Sequence, residues 1–232
     1  MTASPARERI LETAFRLFYA RGIRAVGVDL IIAESGVAKA TFYKHFPAKD
    51  ELVLAYLDKV DGIWTGQLQA AAEAAGSNPA DQLVGLFDAL GTACRRDGYR
   101  GCAFINAAAE AVPGTPVHVR TVAHKRAVLA WLGDLTARAG ADDPSTWRGH
   151  WRCCSTVALR TARSPRIRRA PRAAQQAARA LIAASARPSS VTRSVPRQNS
   201  LAPPTAAGSY WRWADAAQNV RLRWSQGRRM GD

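Results

Sequence analysis

Over the first 140 positions apolar residues recur at the three-to-four-residue spacing of amphipathic helices, and beyond about residue 147 that spacing is lost except over AAQQAARALIAASA. The stretch Arg7 to Arg21 sets Ile10, Leu11, Ala14, Phe15 and Phe18 on one face and stops at Gly22, which predicts a helix ended by glycine. From Val28 to Leu52 the pattern breaks into two short helices and the start of a third. Leu30, Ile31 and Val37 fall where a three-helix core needs them, Ala33 is small enough for a close helix crossing, and Gly36 stands where the chain must reverse. Pro47 ends the second short helix. Lys49 opens the next, with Asp50 and Glu51 in its first turn, where carboxylates suit the positive helix end. That helix is predicted to continue from Leu52 to Ala75, with Leu57, Val60, Ile63 and Trp64 in a stripe that links two parts of the molecule. Further helices are predicted over Pro79 to Arg96 through Leu83, Leu86, Phe87 and Leu90, and over Ala103 to Val112. A long one covers Pro116 to Ala139, carrying Val119, Val122, Val128, Leu129, Trp131, Leu132 and Leu135. The fold class is all-α.

Two short helices about Gly36 make a helix-turn-helix, and that arrangement points at DNA. Lys39, Ala40, Thr41, Tyr43, Lys44 and His45 are left facing outward. On a helix they present cations, hydroxyls and a small side chain on one surface, which suits entry into a major groove and contact with phosphates. Phe42 and Phe46, four residues apart, read as core. Lys49, at a helix start, is placed to hold a phosphate. A plainer reading makes Tyr43 one more core aromatic and the lysines a solvated face; the motif taken as a whole favours the DNA reading.

Residues from about Ala6 to Tyr56, with GIRAVGVDLIIAESGVAKATFYKHFPAKDEL between two helices, resemble the DNA-binding domain of the tetracycline-repressor (TetR) family of regulators. The resemblance implies that Lys39, Thr41, Lys44 and His45 lie at or beside base edges and the flanking backbone. It implies that Tyr43 and Lys49 grip phosphates, with Ala40 permitting close approach. Gly27 and Ala38 depart from the family pattern, which often has Ser or Thr before each of the two helices. Loss of such a cap costs about 0.5–2 kcal/mol, less where Gly replaces it.

A chain of 232 residues suits one small domain plus a larger one, and 47% apolar with 22% charged residues is the composition of a soluble globular protein. No apolar run reaches the length of a membrane span, and MTASPARERILE carries charge before any apolar core, so a cytoplasmic protein without membrane partners is expected. The net charge of +15 does not come from the helix-turn-helix region. Residues 1–146 hold 16 Lys and Arg against 16 Asp and Glu, whereas residues 147–232 set 17 basic residues against only Asp215 and Asp232. Charge available to DNA in the first part is therefore local to Lys39, Lys44 and Lys49.

Three domains are expected: 1–50 as the helix-turn-helix domain, 51–186 as a helical domain to which the resemblance assigns ligand binding and dimerisation, and 187–232 as a basic tail without pattern, irregular and expected to be disordered. Resemblance to the family extends through RGCAFINAAAEAVPGTPVHVRTVAHKRAVLAWLGDL and implies a small-molecule effector bound among these helices and pairing of two subunits through the last two long ones. The expected pocket wall is Trp64, Phe87, Phe104, Asn106 and Trp131, mostly apolar with few polar groups; ordinary core is the competing reading for each. Trp147 to Arg172 should supply a dimerisation helix, yet it holds eight Arg and two Pro in 26 residues and has no apolar face. AAQQAARALIAASA then reads as a good helix before the pattern disappears. Arg, Pro, Trp, Ser and Cys in place of a family-like pattern is what a GC-rich coding region yields out of frame. Residues 147–172, and those after about Ala186, are accordingly read as products of shifted frames. The competing reading is a nucleic-acid or membrane arm with Trp211, Trp213 and Trp224 among its arginines.

Catalysis finds little support. Cys94, Cys102, Cys153 and Cys154 form no CxxC pair and make no ligand spacing with His45, His118, His124 and His150, so neither a metal nor another cofactor is expected. Cys102, at a helix start, is a weak candidate for a reactive thiol. The expected function is a ligand-responsive repressor, not an enzyme, whose homodimer reads a palindromic double-stranded DNA operator with recognition helices about 34–36 Å apart. The alternative is a helical module of the same fold, impaired in dimerisation, with weak non-specific DNA affinity.

Overall fold

In the computed structural model, residues 4–140 and 170–185 are described, and they form eight α-helices with no strand among them. Helix α1 spans Pro5–Arg21, α2 Val28–Ser35, α3 Lys39–His45 and α4 Lys49–Ala74. They are followed by α5 (Pro79–Arg95), α6 (Ala103–Glu110), α7 (Pro116–Arg138) and α8 (Ala170–Ser185). Pro5, Pro79 and Pro116 each open a helix, where the fixed φ is already helical and the missing N–H has no partner to lose. Asn78 and Thr115 cap α5 and α7 through their side chains, accepting from the backbone N–H of Ala80 and His118. Gly27 and Ala38 give α2 and α3 no side-chain cap, as their residue types dictate. Gly36 sits at φ 65°, a left-handed backbone that reverses the chain between α2 and α3.

The predicted helices are all present, with ends shifted by up to three residues. Helix α6 stops at Glu110 and leaves Val112 exposed, because Pro113 disfavours helical backbone at the residue before it. Helix α8 begins three residues before AAQQAARALIAASA, inside the stretch read as frame-shifted. The remainder of that stretch, residues 147–169, and the tail from 187 onward lie outside the described residues, as do Cys153, Cys154 and the three tail tryptophans.

Burial divides the described residues between two apolar cores strung along α4. The first joins Ile10, Ala14 and Phe18 of α1 to Ile31, Phe42 and Phe46 around the helix-turn-helix and to Leu52, Tyr56 and Leu57 at the start of α4. It also takes in Phe104 and Ala107 of α6 and Val117 of α7, so the boundary expected at residue 50 falls within a continuous core. The second core joins Leu68 and Ala72 of α4 to Leu86, Phe87 and Leu90 of α5, Leu132 and Leu135 of α7, and Ala174 and Ala178 of α8. Gly85 lets α5 lie close on α4: a Cβ there would stand 2.8 Å from the Ala71 carbonyl oxygen and 2.7 Å from the Ala75 Cβ.

Three positions expected to pack lie elsewhere, among them Ile63 of the α4 stripe, which is 42% exposed. Ala33 is exposed, and α2 instead buries Ile31 and Ser35. Val119 is 56% exposed, because α7 turns Val117, Thr121, His124 and Thr136 inward. The two threonines are buried without penalty, since their hydroxyls donate to the carbonyls of His118 at 2.7 Å and Leu132 at 2.6 Å within the same helix.

Candidate nucleic-acid interface and its connection to the upper helices

Helix α3 is held by Phe42 and Phe46, both buried, with the Arg7 guanidinium lying 5.1 Å over the Phe46 ring. Those anchors leave the opposite face outward. Lys39, Ala40 and Lys44 are exposed, Tyr43 is 43% exposed, and Thr41 and His45 are half-buried beside them. Lys44 and His45 fall in the last turn, where the Lys44 ammonium complements the negative helix end. Lys39 faces Asp29 of α2 at 3.9 Å, an exposed pair too loose to hold the ammonium away from another anion. Helix α2 is tied to α1 by Glu34, which pairs with both Arg16 and Arg21.

Lys49 does not project with the others. Its ammonium donates to the Ile23 carbonyl oxygen at 2.7 Å and sits 6.0 Å over the Phe18 ring, tying the start of α4 to the α1–α2 connection. Burial holds its pKa below the usual lysine value, against the attraction of Asp50 and Glu110.

The end of α1 is gripped from above at two points. Tyr19 donates its hydroxyl hydrogen to the Gly101 carbonyl at 3.0 Å and accepts from the Arg100 N–H at 3.0 Å, while the Arg100 guanidinium donates to the Ala20 carbonyl. Glu110, at the end of α6, accepts from the Arg24 N–H at 2.6 Å. Lys59 of α4 reaches Glu8 and Glu12 of α1, both at 2.7 Å. On the other side of α4, Arg120 of α7 pairs with Asp58 at 2.7 Å and Asp61 at 2.6 Å, and His124 meets the second Asp61 oxygen at 2.7 Å. The His124 ring stacks on Phe104 at 3.6 Å. Burial is the largest influence on His124 and lowers its pKa, although Asp61 pulls the other way.

Behind the Tyr19 contact lies a cavity of about 200 Å³ between α1, the middle of α4, the end of α5 and the start of α6. Of the five residues expected to line a pocket, Trp64 and Phe104 do so. Phe87 belongs to the second core, with Trp131 against it, and the Asn106 amide donates to the Arg100 carbonyl at 3.1 Å. Phe15 and Tyr19, which line the cavity from α1, were not expected there. Cys102 lines it too, with the Lys125 ammonium 3.6 Å from its sulfur.

Comparison with known proteins places this geometry among regulators. The family described as bacterial regulatory proteins, tetR family, matches residues 10–56. The crystal structure of a TetR-family transcriptional regulator from Streptomyces coelicolor is similar over 80% of this chain and 92% of that one, with 33% identity and a TM-score of 0.75. The HTH-type transcriptional regulator YerO of Bacillus subtilis is 30% identical over 78 residues, 34% of this chain and 27% of that protein. The HTH-type transcriptional activator FasR of Mycolicibacterium smegmatis is 42% identical over 65 residues, 28% of this chain and 30% of that protein. The chain thus matches less than a third of the length of these two curated relatives.

Proposed function

Because this chain belongs to the TetR family of helix-turn-helix transcriptional regulators, DNA-binding proteins and not enzymes, we propose that it represses by binding a palindromic operator as a homodimer and is released by a small-molecule effector. The observation that carries the DNA reading is the outward face of α3, where Lys39, Ala40, Tyr43 and Lys44 stand exposed on a helix anchored by Phe42 and Phe46. Lys39, Thr41, Lys44 and His45 are assigned to base edges and the adjoining backbone, and Tyr43 to a phosphate. Lys49 contributes to phosphate binding through the ammonium hydrogens not spent on Ile23. Two-fold docking sets the two recognition helices about 34–36 Å apart, one turn of DNA or a multiple of it. The helices after α4 are assigned to effector binding and pairing, and the protein to the cytoplasm; no helix among the described residues is long and apolar enough to cross a membrane.

Fluorescence anisotropy of the full chain on the DNA flanking its own gene, against random DNA of equal length and at two salt concentrations, tests this reading. Preference for the flanking fragment by roughly 10³-fold or more at physiological salt supports it. Equal, weak and steeply salt-dependent binding to both refutes operator recognition and leaves only charge.

A further inference from the structure

We propose that the cavity between α1, α4, α5 and α6 is the effector site and that it takes a neutral, flat molecule of one or two aromatic rings, which binds directly against the helix-turn-helix domain. The effector-responsive reading of the chain is the premise of this inference. Size sets the first limit: an apolar cavity of about 150 Å³ accommodates benzene, and this one measures about 200 Å³. Chemistry sets the second. Phe15, Tyr19, Trp64, Tyr99 and Phe104 bring five aromatic rings to its wall. Its charged lining residues, Arg96 and Asp97, are exposed and opposite in sign, so an ionic ligand would surrender water without a buried counter-charge.

The wall is also preformed. Tyr19 is fixed by hydrogen bonds to Gly101 and Arg100, and the stack with His124 fixes Phe104. Rigid walls lower the ordering cost of binding. Phe15 and Tyr19 belong to α1, whose neighbouring Leu17 and Phe18 lie in the core beneath α3, while the opposite wall comes from α4, α5 and α6. A ligand here touches both sides of the seam and sets the pose of α1 against the upper helices without an intervening relay.

The probe is 2-naphthol, with 2-naphthoate as an anion of similar size, added to the full chain and followed by thermal shift and calorimetry. Naphthol is expected to bind saturably and at least ten-fold more tightly than naphthoate. Ala93→Leu, which fills the cavity from α5, and Ile63→Trp, which fills it from a rim position that is 42% exposed, are each expected to weaken naphthol at least ten-fold. Ile63→Trp keeps the test open should Ala93→Leu not fold. No saturable binding, equal binding of naphthoate, or full affinity in Ile63→Trp overturns the proposal. On the flanking DNA, saturating naphthol is expected to change affinity by about 5–150-fold in the parent chain and not in Ile63→Trp. Unchanged DNA affinity with intact naphthol binding overturns the coupling, whereas absence of DNA preference in the ligand-free protein overturns operator recognition and leaves the cavity assignment standing.

Discussion

His124 makes folding stability depend on pH in a direction that the structure dictates. Its ring is 2% exposed, stacked on Phe104 and hydrogen-bonded to Asp61, with Arg120 on that same carboxylate and Lys125 next in sequence. Asp58 completes the charged groups here by sharing Arg120. Asp61 favours the imidazolium, but burial, Lys125 and Arg120 oppose it, and the folded pKa lies below the ordinary 6.5. The unfolded chain therefore takes up a proton near pH 6.5 that the folded chain refuses, and stability is full above that pH and falls below it. One proton linked in this way gives a limiting slope of at most about 1.4 kcal/mol per pH unit, hence a loss of at most about 1.4 kcal/mol between pH 7.5 and 5.5. Asp61, whose pKa is lowered from 3.8, contributes only in a more acid window. Urea denaturation of the parent chain and of His124→Gln at fixed protein concentration isolates the effect, because every other titrating group is common to both. The parent is expected to lose more than the variant over that interval, by at most about 1.4 kcal/mol. Equal losses, or a parent that gains stability on acidification, refute the reasoning.

Other perturbations separate DNA contact from support. Lys44→Ala is expected to cost about 1–3 kcal/mol on the preferred operator and to relax sequence preference, whereas Tyr43→Phe should weaken binding to all sequences alike; competition anisotropy distinguishes them. Lys49→Met should lower folding stability by about 1 kcal/mol as well as DNA affinity, since it leaves the Ile23 carbonyl without its donor; an unchanged urea midpoint would contradict the tie described above. Gly85→Ala drives a methyl into the Ala71 carbonyl and should destabilise by about 1–3 kcal/mol in the same denaturation assay, with a neutral result excluding close approach of α4 and α5.

Residues whose role is set by local spacing were legible in advance. Gly36, Phe42 and Phe46 follow from the turn and the helical period, and once the aromatics are inward the exposure of Lys39, Ala40, Tyr43 and Lys44 follows. Trp64 and Phe104, expected on a pocket wall because such walls are mostly apolar, do line the cavity, whereas Phe87 and Trp131, expected for the same reason, pack in the second core. What escaped depends on distant partners. Lys49 reads as an outward cation until the Ile23 carbonyl, 26 residues earlier, is brought under it. Tyr19 becomes a cavity wall only through Gly101, 82 residues away. The inward face of α7 includes polar residues among its apolar ones, so an apolar pattern selects Val119 in place of Thr121 and His124; their burial depends on a helix carbonyl and on Asp61.

Helix α4 runs unbroken from the floor of the first core to the second, and Arg120 and His124 grasp it at Asp61. In the proposed effector response that grip would serve as a fulcrum. At 1.5 Å per residue, Lys49 lies about 18 Å along the helix axis from it, so a tilt of about 5° swings the lower end by about 1.6 Å. Displacements of about 1–2 Å are of the size by which helices shift in allosteric transitions. Because α4 extends about as far above Asp61, to Ala74, as below it, to Lys49, a tilt about this grip would swing both ends by about the same distance, so a shift of the upper helices would reach α3 undiminished and not magnified.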